Sequence, residues 1–252
     1  MNLLSNRRVA IVTGALGGIG MQVCNSLSQE GYLVIGVDRD KRVNSGLKGL
    51  YVNFDIRKLA QEERYSADFL EVVREKTDNQ PVCLLINNAA DQILGNVFEL
   101  SAESWRLSLE TNVIAPAKLI SIFHDDLKQC SGLVVNISSI HSKMTKPNFA
   151  AYSVSKAALS ALTRSAALDA GSDYRVLGIA PAAVNTKMLK QGLNFDADLL
   201  NRLKLMHPTR RISEPHEIAQ LIVFLASTNA PLISGTDIQI DGAISARLHD
   251  PN

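Results

Sequence analysis

The sequence lacks the features expected of a membrane protein or a nucleic-acid-binding protein. No apolar run approaches the roughly 20 residues that a membrane-spanning helix needs. The formal net charge is only +1, so no charge excess indicates nucleic acid or disorder. Residues 1–8 show no signal-peptide layout, and the apolar run that follows is short and ends before a glycine. We therefore expect a cytoplasmic protein with no membrane or nucleic-acid partner.

Cysteine and histidine are also scarce. Cys24, Cys83 and Cys130 are odd in number and widely separated, which argues against a disulfide framework. The five histidines show no zinc-type spacing, so we expect no metal. Buried free thiols in a reducing cytosol are the expected state of the cysteines.

The length and composition indicate one globular domain. A chain of 252 residues with 46% hydrophobic and 20% charged residues can bury a sizeable core. No linker, low-complexity stretch or repeat interrupts it, apart from the alternation of strands and helices. We therefore expect a single domain over residues 1–252.

A glycine-rich turn near the N-terminus predicts a dinucleotide-binding unit. A short apolar run ends at Thr13-Gly14 and continues through Gly18, Ile19 and Gly20 into a helical pattern. A second apolar run then ends at Asp38. Glycines allow the backbone to approach a pyrophosphate at a helix N-terminus, and a carboxylate about 20 residues further on can bond the adenosine ribose.

Apolar runs and helical patterns alternate along the rest of the chain. This alternation predicts an α/β Rossmann-type fold, a doubly wound parallel sheet with helices on both faces. Strands are expected at 9–12, 33–37, 50–54, 82–86, 133–137, 175–180 and 237–240. Helices are expected after Gly20, at 62–76, at 102–129 as one helix or two with a break near Pro116, at about 152–170 and at 214–226.

Ser139, Tyr152 and Lys156 have the chemistry of a proton-transfer site. If the helix begins near Ala151, Tyr152 and Lys156 lie one turn apart on the same face. A phenol has a reference pKa of about 10, and a neighbouring ammonium lowers that pKa by favouring the phenolate. A lone Tyr-x-x-x-Lys pair is common on helix surfaces, so the spacing alone is weak.

The positions of the other polar and glycine motifs strengthen this interpretation. Each follows a predicted strand, and in open α/β sheets ligands bind at the carboxyl ends of the strands. The candidates at that edge are Gly14, Asp38, Asp55, Asn88, Ser139 and Pro181.

With these motifs, the chain resembles the short-chain dehydrogenase/reductase family, specifically its shorter subgroup. The resemblance covers nearly the whole chain, through TGxxxGxG, Asn87-Asn88-Ala89, Asn112 and Tyr152-x-x-x-Lys156. It implies a catalytic set of Asn112, Ser139, Tyr152 and Lys156. It implies cofactor contacts from Thr13, Gly14, Gly18, Ile19, Gly20, Asp38, Arg39, Asp55, Ile56, Asn88, Ala89, Tyr152, Lys156, Pro181, Val184 and Thr186.

The resemblance also implies a role for each catalytic residue. Tyr152 would exchange a proton with the substrate oxygen, and Lys156 would lower the pKa of Tyr152 and bond the nicotinamide ribose. Ser139 would position the substrate oxygen. Asn112 would hold a water that links Lys156 to solvent. The expected substrate is a small alcohol or ketone.

Cofactor choice depends on Asp38 and Arg39. The Asp38 carboxylate would accept hydrogen bonds from a free ribose and repel a 2′-phosphate, which favours NAD over NADP. Arg39 could instead pair with that phosphate, stack on the adenine or remain solvated. The alternative functions are an NADPH-dependent carbonyl or 3-oxoacyl reductase and a cofactor-sensing regulator.

The substrate side is less defined by the sequence. The family resemblance implies that residues 187–211 cover the substrate, where core packing would explain most of the apolar side chains Met188, Leu189, Leu193, Phe195, Leu199 and Met206. His141 could reach the substrate or be a polar loop residue. The family usually has glycine at Ala90 and Ala182, which puts the substrate geometry in question. A homotetramer is expected, with a dimer second.

Overall fold

The computed structural model describes residues 7–41, 46–227 and 232–248. Residues 1–6 lie outside these ranges, and they make up most of the segment for which we expect no signal peptide. Both ends of the expected domain, residues 1–252, also lie outside them. No helix in the described part of the chain combines the length and apolar character needed to cross a membrane.

Seven parallel strands form one sheet in the order β3-β2-β1-β4-β5-β6-β7. The strands are β1 Val9–Thr13, β2 Leu33–Asp38, β3 Leu50–Asn53, β4 Val82–Asn87, β5 Leu133–Ile137, β6 Arg175–Pro181 and β7 Asp237–Ile240. The order reverses between β1 and β4, which creates the crevice where doubly wound sheets bind ligands. The predicted Rossmann-type fold is confirmed.

The sheet is buried on both faces. Val9 and Ile11 belong to one core cluster, whereas Ala10 and Val12 belong to the other, because successive strand residues point to opposite faces. The helices that accompany the sheet are α1 Gly18–Gln29, α2 Arg64–Thr77, α3 Ala102–Leu109, α4 Ala115–Ile122, α5 His124–Gln129, α6 Ala150–Ala170, α7 Lys187–Gly192, α8 Ala197–Met206 and α9 Pro215–Ser227.

The segment 102–129 is divided more finely than the sequence indicates. A π-helical turn, Glu110–Ile114, separates α3 from α4, and Phe123 separates α4 from α5. Pro116 lies in the first turn of α4, directly after the π turn, and its missing backbone N–H interrupts the hydrogen-bond ladder there. The proline therefore marks the start of a helix, as the predicted break suggested, and the π turn comes just before it.

The expectation that all cysteines are free thiols is wrong for two of them. Cys83 and Cys130 form a disulfide between residues 47 positions apart in the sequence, and Cys24 is free and buried. Cys83 lies near the start of β4, and Cys130 caps α5, which packs on β4. The Cα atoms are 5.2 Å apart, a separation a disulfide can span. Only the fold brings them together.

Candidate active site

A cavity of about 450 Å³ opens at the carboxyl edge of the sheet. Of the residues predicted for the site, the cavity is lined by Gly14, Gly18, Ile19, Asp38, Arg39, Asp55, Ile56, Asn88, Ala89, Ser139, Tyr152, Lys156, Pro181 and Thr186. Thr13, Gly20, Asn112 and Val184 do not line it. Thr13, Gly20 and Asn112 instead contact residues of the lining, and Val184 is buried.

Thr13 and Gly20 shape the glycine-rich turn from behind. The Thr13 hydroxyl accepts the backbone N–H groups of Asn88 and Ala89, each at 3.0 Å, and so joins the ends of β1 and β4. A side chain at Gly20 would collide with the carbonyl oxygen of Gly14. Gly14 itself has φ +65°, which L-residues with side chains rarely adopt.

The N-terminus of α1 opens onto the cavity. Gly17 precedes the helix, no side chain caps it, and its first turn carries no acidic residue. The first N–H groups of a helix lack partners within the helix and form a site for anions. A Cβ atom at Gly18 would lie 3.0 Å from the Thr186 side chain, so the glycine lets the start of α7 approach this turn.

Asp38 ends β2 at the side of the cavity. Its carboxylate accepts the backbone N–H of Leu16 at 3.0 Å and that of Asp40 at 3.2 Å. These bonds fix the carboxylate against the glycine-rich turn, beside the helix N-terminus.

Arg39 forms an ion pair with Asp91, a cavity residue that the sequence analysis missed. The closest nitrogen and oxygen atoms are 3.1 Å apart. Asp91 follows the end of β4 by four positions, so the strand-end rule that identified Asn88 could have included it. An ion pair within the chain was not among the environments considered for Arg39, whose side chain is also 61% exposed.

Local hydrogen bonds fix two further walls of the cavity. Asp55 begins the 3₁₀ turn Ile56–Ala60 by accepting the Arg57 backbone N–H at 3.0 Å. The Asn88 amide donates to the carbonyls of Thr13 at 2.9 Å and Gly14 at 3.1 Å. Both residues hold their predicted places through contacts with backbone atoms.

Tyr152, Lys156 and Ser139 meet at the opposite end of the cavity. α6 places Tyr152 and Lys156 one turn apart, with the Lys156 Nζ 5.7 Å from the centre of the phenol ring. The ammonium also donates to the carbonyl of Ile137 at 2.7 Å. Ser139 follows β5 and hydrogen-bonds Tyr152. The predicted proton-transfer groups are therefore adjacent.

Burial dominates the proton affinities of this pair. It raises the pKa of Tyr152 to about 12, although the hydrogen bond with Ser139 acts in the opposite direction. Burial also lowers the pKa of Lys156 to about 8. The pKa of Tyr152 therefore moves opposite to the predicted direction. The free energy lost by removing the phenolate from water exceeds the stabilisation that neighbouring groups give it.

Asn112 lies in the π-helical turn and is buried. Its amide donates to the Asp91 carbonyl and to the Ser155 hydroxyl, each at 2.9 Å, and its oxygen accepts the Asp91 N–H at 2.8 Å. Both amide hydrogens are used, so the side chain connects the end of β4 to α6. The predicted water relay would have to use its backbone or the second lone pair of its amide oxygen.

The segment 187–211 forms α7 and α8 beside the cavity. Met188, Phe195, Leu199 and Met206 are exposed, so the expectation that core packing explains most of these apolar residues is wrong. No residue of either helix belongs to the two core clusters. Met188 and Gln191 line the cavity, and neither was predicted there from a motif.

His141 belongs to an aromatic cluster next to the phenol. Its ring stacks on Phe149 with centres 4.7 Å apart and meets the Tyr152 ring edge-on at 5.8 Å. Burial, with the charge of Lys146, lowers the pKa of His141. The imidazole is therefore a neutral neighbour of the proton-transfer group.

The two departures from the family pattern cause no backbone strain. Ala90 and Ala182 both line the cavity, and neither has a positive φ. Alanine adopts these conformations readily. Their methyl groups narrow the cavity without distorting the chain.

Comparison with known proteins agrees with this geometry. Residues 14–245 match the family model described as enoyl-(acyl carrier protein) reductase. An acetoacetyl-CoA reductase of Acinetobacter sp. is 30% identical, over 96% of this chain and 99% of that protein. The chain therefore belongs to the short-chain dehydrogenase/reductase family, a family of NAD(P)-dependent oxidoreductases.

Solved structures give the same result. The ligand-free aldohexose dehydrogenase of Thermoplasma acidophilum has a TM-score of 0.89 at 26% identity, covering 98% of both chains. A 4-hydroxyisoleucine dehydrogenase complexed with NADH has a TM-score of 0.85 at 25% identity, covering 96% of this chain and 100% of that one. The uncapped helix and the glycine turn fit a nicotinamide dinucleotide.

Proposed function

We propose that this chain is an NAD(H)-dependent oxidoreductase that interconverts a secondary alcohol and a ketone. The observation that carries the proposal is one cavity with a carboxylate at the end of β2 and a phenol, an ammonium and a serine at its other end. The predicted catalytic and cofactor-binding residues are part of the proposal.

Each residue would have a defined task in the reaction. The bound nicotinamide supplies the hydride donor or acceptor. As a phenolate, Tyr152 takes the hydroxyl proton during alcohol oxidation, and as a phenol it donates a proton during ketone reduction. The Lys156 ammonium stabilises the phenolate form, while Ser139 holds the substrate oxygen. Such acid–base catalysis contributes a factor of about 10² to 10⁴.

Two other functions compete with this proposal. An NADPH-dependent carbonyl or 3-oxoacyl reductase is favoured by Arg39, a cation beside Asp38 in the cavity wall. A cofactor-sensing regulator would bind the dinucleotide and lack turnover. The presence of Ser139, Tyr152 and Lys156 around one cavity disfavours the regulator.

A fluorescence titration of the purified protein with NADH and, separately, NADPH tests the proposal. Tighter binding of NADH supports NAD as the cofactor, and a panel of secondary alcohols with NAD⁺ should then reveal turnover. Tighter binding of NADPH would replace it with the reductase alternative. Binding without turnover on a broad panel would favour the regulator.

We also propose a cytoplasmic homotetramer, with a dimer as the alternative. Leu168 of α6 is 82% exposed and Phe224 of α9 is 57% exposed in the single chain, so both helices offer apolar contact surface. Light scattering at micromolar concentration tests the assembly, and a monomer would contradict it. Cell fractionation tests the location.

A further inference from the structure

The Arg39–Asp91 ion pair crosses the cavity wall near the carboxylate of Asp38. One guanidinium nitrogen lies 3.1 Å from one Asp91 oxygen, and the other nitrogen lies 3.4 Å from the second oxygen. Both residues line the cavity. The pair joins the end of β2 to the end of β4.

Asp91 is the fixed partner of this pair. Thr111 donates to its carboxylate at 2.9 Å, and the Asn112 amide holds its backbone on both sides. The Asp91 side chain is 18% exposed, whereas that of Arg39 is 61% exposed. The aspartate therefore determines where the guanidinium lies.

We infer that Asp91 determines cofactor specificity by holding Arg39 away from a 2′-phosphate. The inference rests on the proposed function, in which the adenosine ribose lies at Asp38. Guanidinium groups pair with carboxylates and phosphates through the same two-bond geometry, so Asp91 and a 2′-phosphate compete for Arg39.

The inference predicts that the charge of Asp91, rather than its shape, excludes NADPH. Asp91→Asn keeps an oxygen for Thr111 and leaves Arg39 without its charged partner. Hydrogen bonds to charged groups contribute enough to change affinity by roughly tenfold or more. We expect NADPH to bind Asp91→Asn about tenfold more tightly than wild type, while the Kd for NADH changes less than about threefold.

Four proteins test this in one titration series with NADH and with NADPH: wild type, Asp91→Asn, Arg39→Ala and the double variant. The double variant should lose the gain in NADPH affinity, because the gain requires the released guanidinium. Glu63→Gln is the charge-matched control, since Glu63 pairs with Lys118 and does not line the cavity. Its ratio of NADPH to NADH affinity should equal that of wild type.

The outcomes separate this inference from the proposed function. If both dinucleotides bind and Asp91→Asn leaves their affinity ratio unchanged, the inference is overturned and the proposed function stands. A gain that persists in the double variant also overturns it, because Arg39 would then not be the mediator. If neither dinucleotide binds the wild type, the inference and the proposed function are both rejected.

Discussion

The amide of Asn112 donates to the hydroxyl of Ser155 at 2.9 Å and so connects the π-helical turn to the helix that carries Tyr152 and Lys156. The same amide group holds both backbone groups of Asp91. One side chain therefore links the segment that follows β4 to α6, the helix that carries the proton-transfer residues.

Asn112→Ala should destabilise the protein by about 1–3 kcal/mol, because it leaves the backbone N–H and C=O of Asp91 without their partner and removes one of the two hydrogen bonds of the Ser155 hydroxyl. Urea unfolding followed by circular dichroism measures this loss. Asn96→Ala, in an exposed loop turn, is the matched control and should change stability far less. Equal effects of the two substitutions would show that the Asn112 connections contribute little.

Tyr152→Phe should lower kcat by a factor of about 10² to 10⁴, because the variant lacks the group that exchanges a proton with substrate. The Kd for NADH should change by less than about threefold, since the ring and its packing remain. Tyr65→Phe, which does not line the cavity, controls for the loss of a hydroxyl elsewhere. Normal turnover by Tyr152→Phe would refute the proposed acid–base role.

The free energy of unfolding should rise between pH 8 and pH 10 through Lys156. The folded chain releases this proton near pH 8, whereas the unfolded chain keeps it to about pH 10.5. More protons are then bound in the unfolded state, so stability increases with pH, by about 2 kcal/mol over the window. The raised pKa values of Cys24 and Tyr152 act in the opposite direction, from about pH 9 and about pH 10 respectively, so the contribution of Lys156 is read from the comparison with a variant that lacks it.

Urea unfolding at several pH values, with Lys156→Met measured in parallel, checks this prediction. The variant should lack the rise, because methionine carries no proton to release. Identical slopes for both proteins between pH 8 and pH 10 would contradict the burial effect on Lys156.

Thiol titration should distinguish the two states of the cysteines. Denatured protein that has never met a reductant should show one reactive thiol, from Cys24, and three after reduction. Opening the loop between Cys83 and Cys130 should cost up to about 4 kcal/mol by loop entropy. The unfolding free energy of Cys83→Ser, compared with that of Cys24→Ser, measures this loss of stability. Three reactive thiols before reduction would disprove the disulfide.

The sequence predicts the sheet and most of the cavity because the relevant signals are local. Apolar runs that end in glycine or polar residues place Gly14, Asp38 and Ser139 at one edge once the strands are parallel. The Arg39–Asp91 pair and the Cys83–Cys130 bond join residues 52 and 47 positions apart. Such pairs depend on strand order and helix packing, which no local pattern specifies.

The pKa of Tyr152 was mispredicted for a related reason. Spacing showed that Lys156 is one helical turn away, but it did not show how deeply both groups are buried. The exposed apolar residues of α7 and α8 illustrate the opposite case, because their helical spacing resembles that of core residues and only the fold leaves them outside the core.

The π-helical turn Glu110–Ile114 has an evolutionary consequence. A π turn closes i→i+5 hydrogen bonds where an α-helix closes i→i+4 bonds, so deleting one residue here would return the turn to an α-helix and move Asn112 along it. Asn112 could not then reach both Asp91 and Ser155. Related proteins should therefore accept many substitutions in this segment but reject insertions and deletions, so the number of residues in the turn is conserved more strictly than their identity.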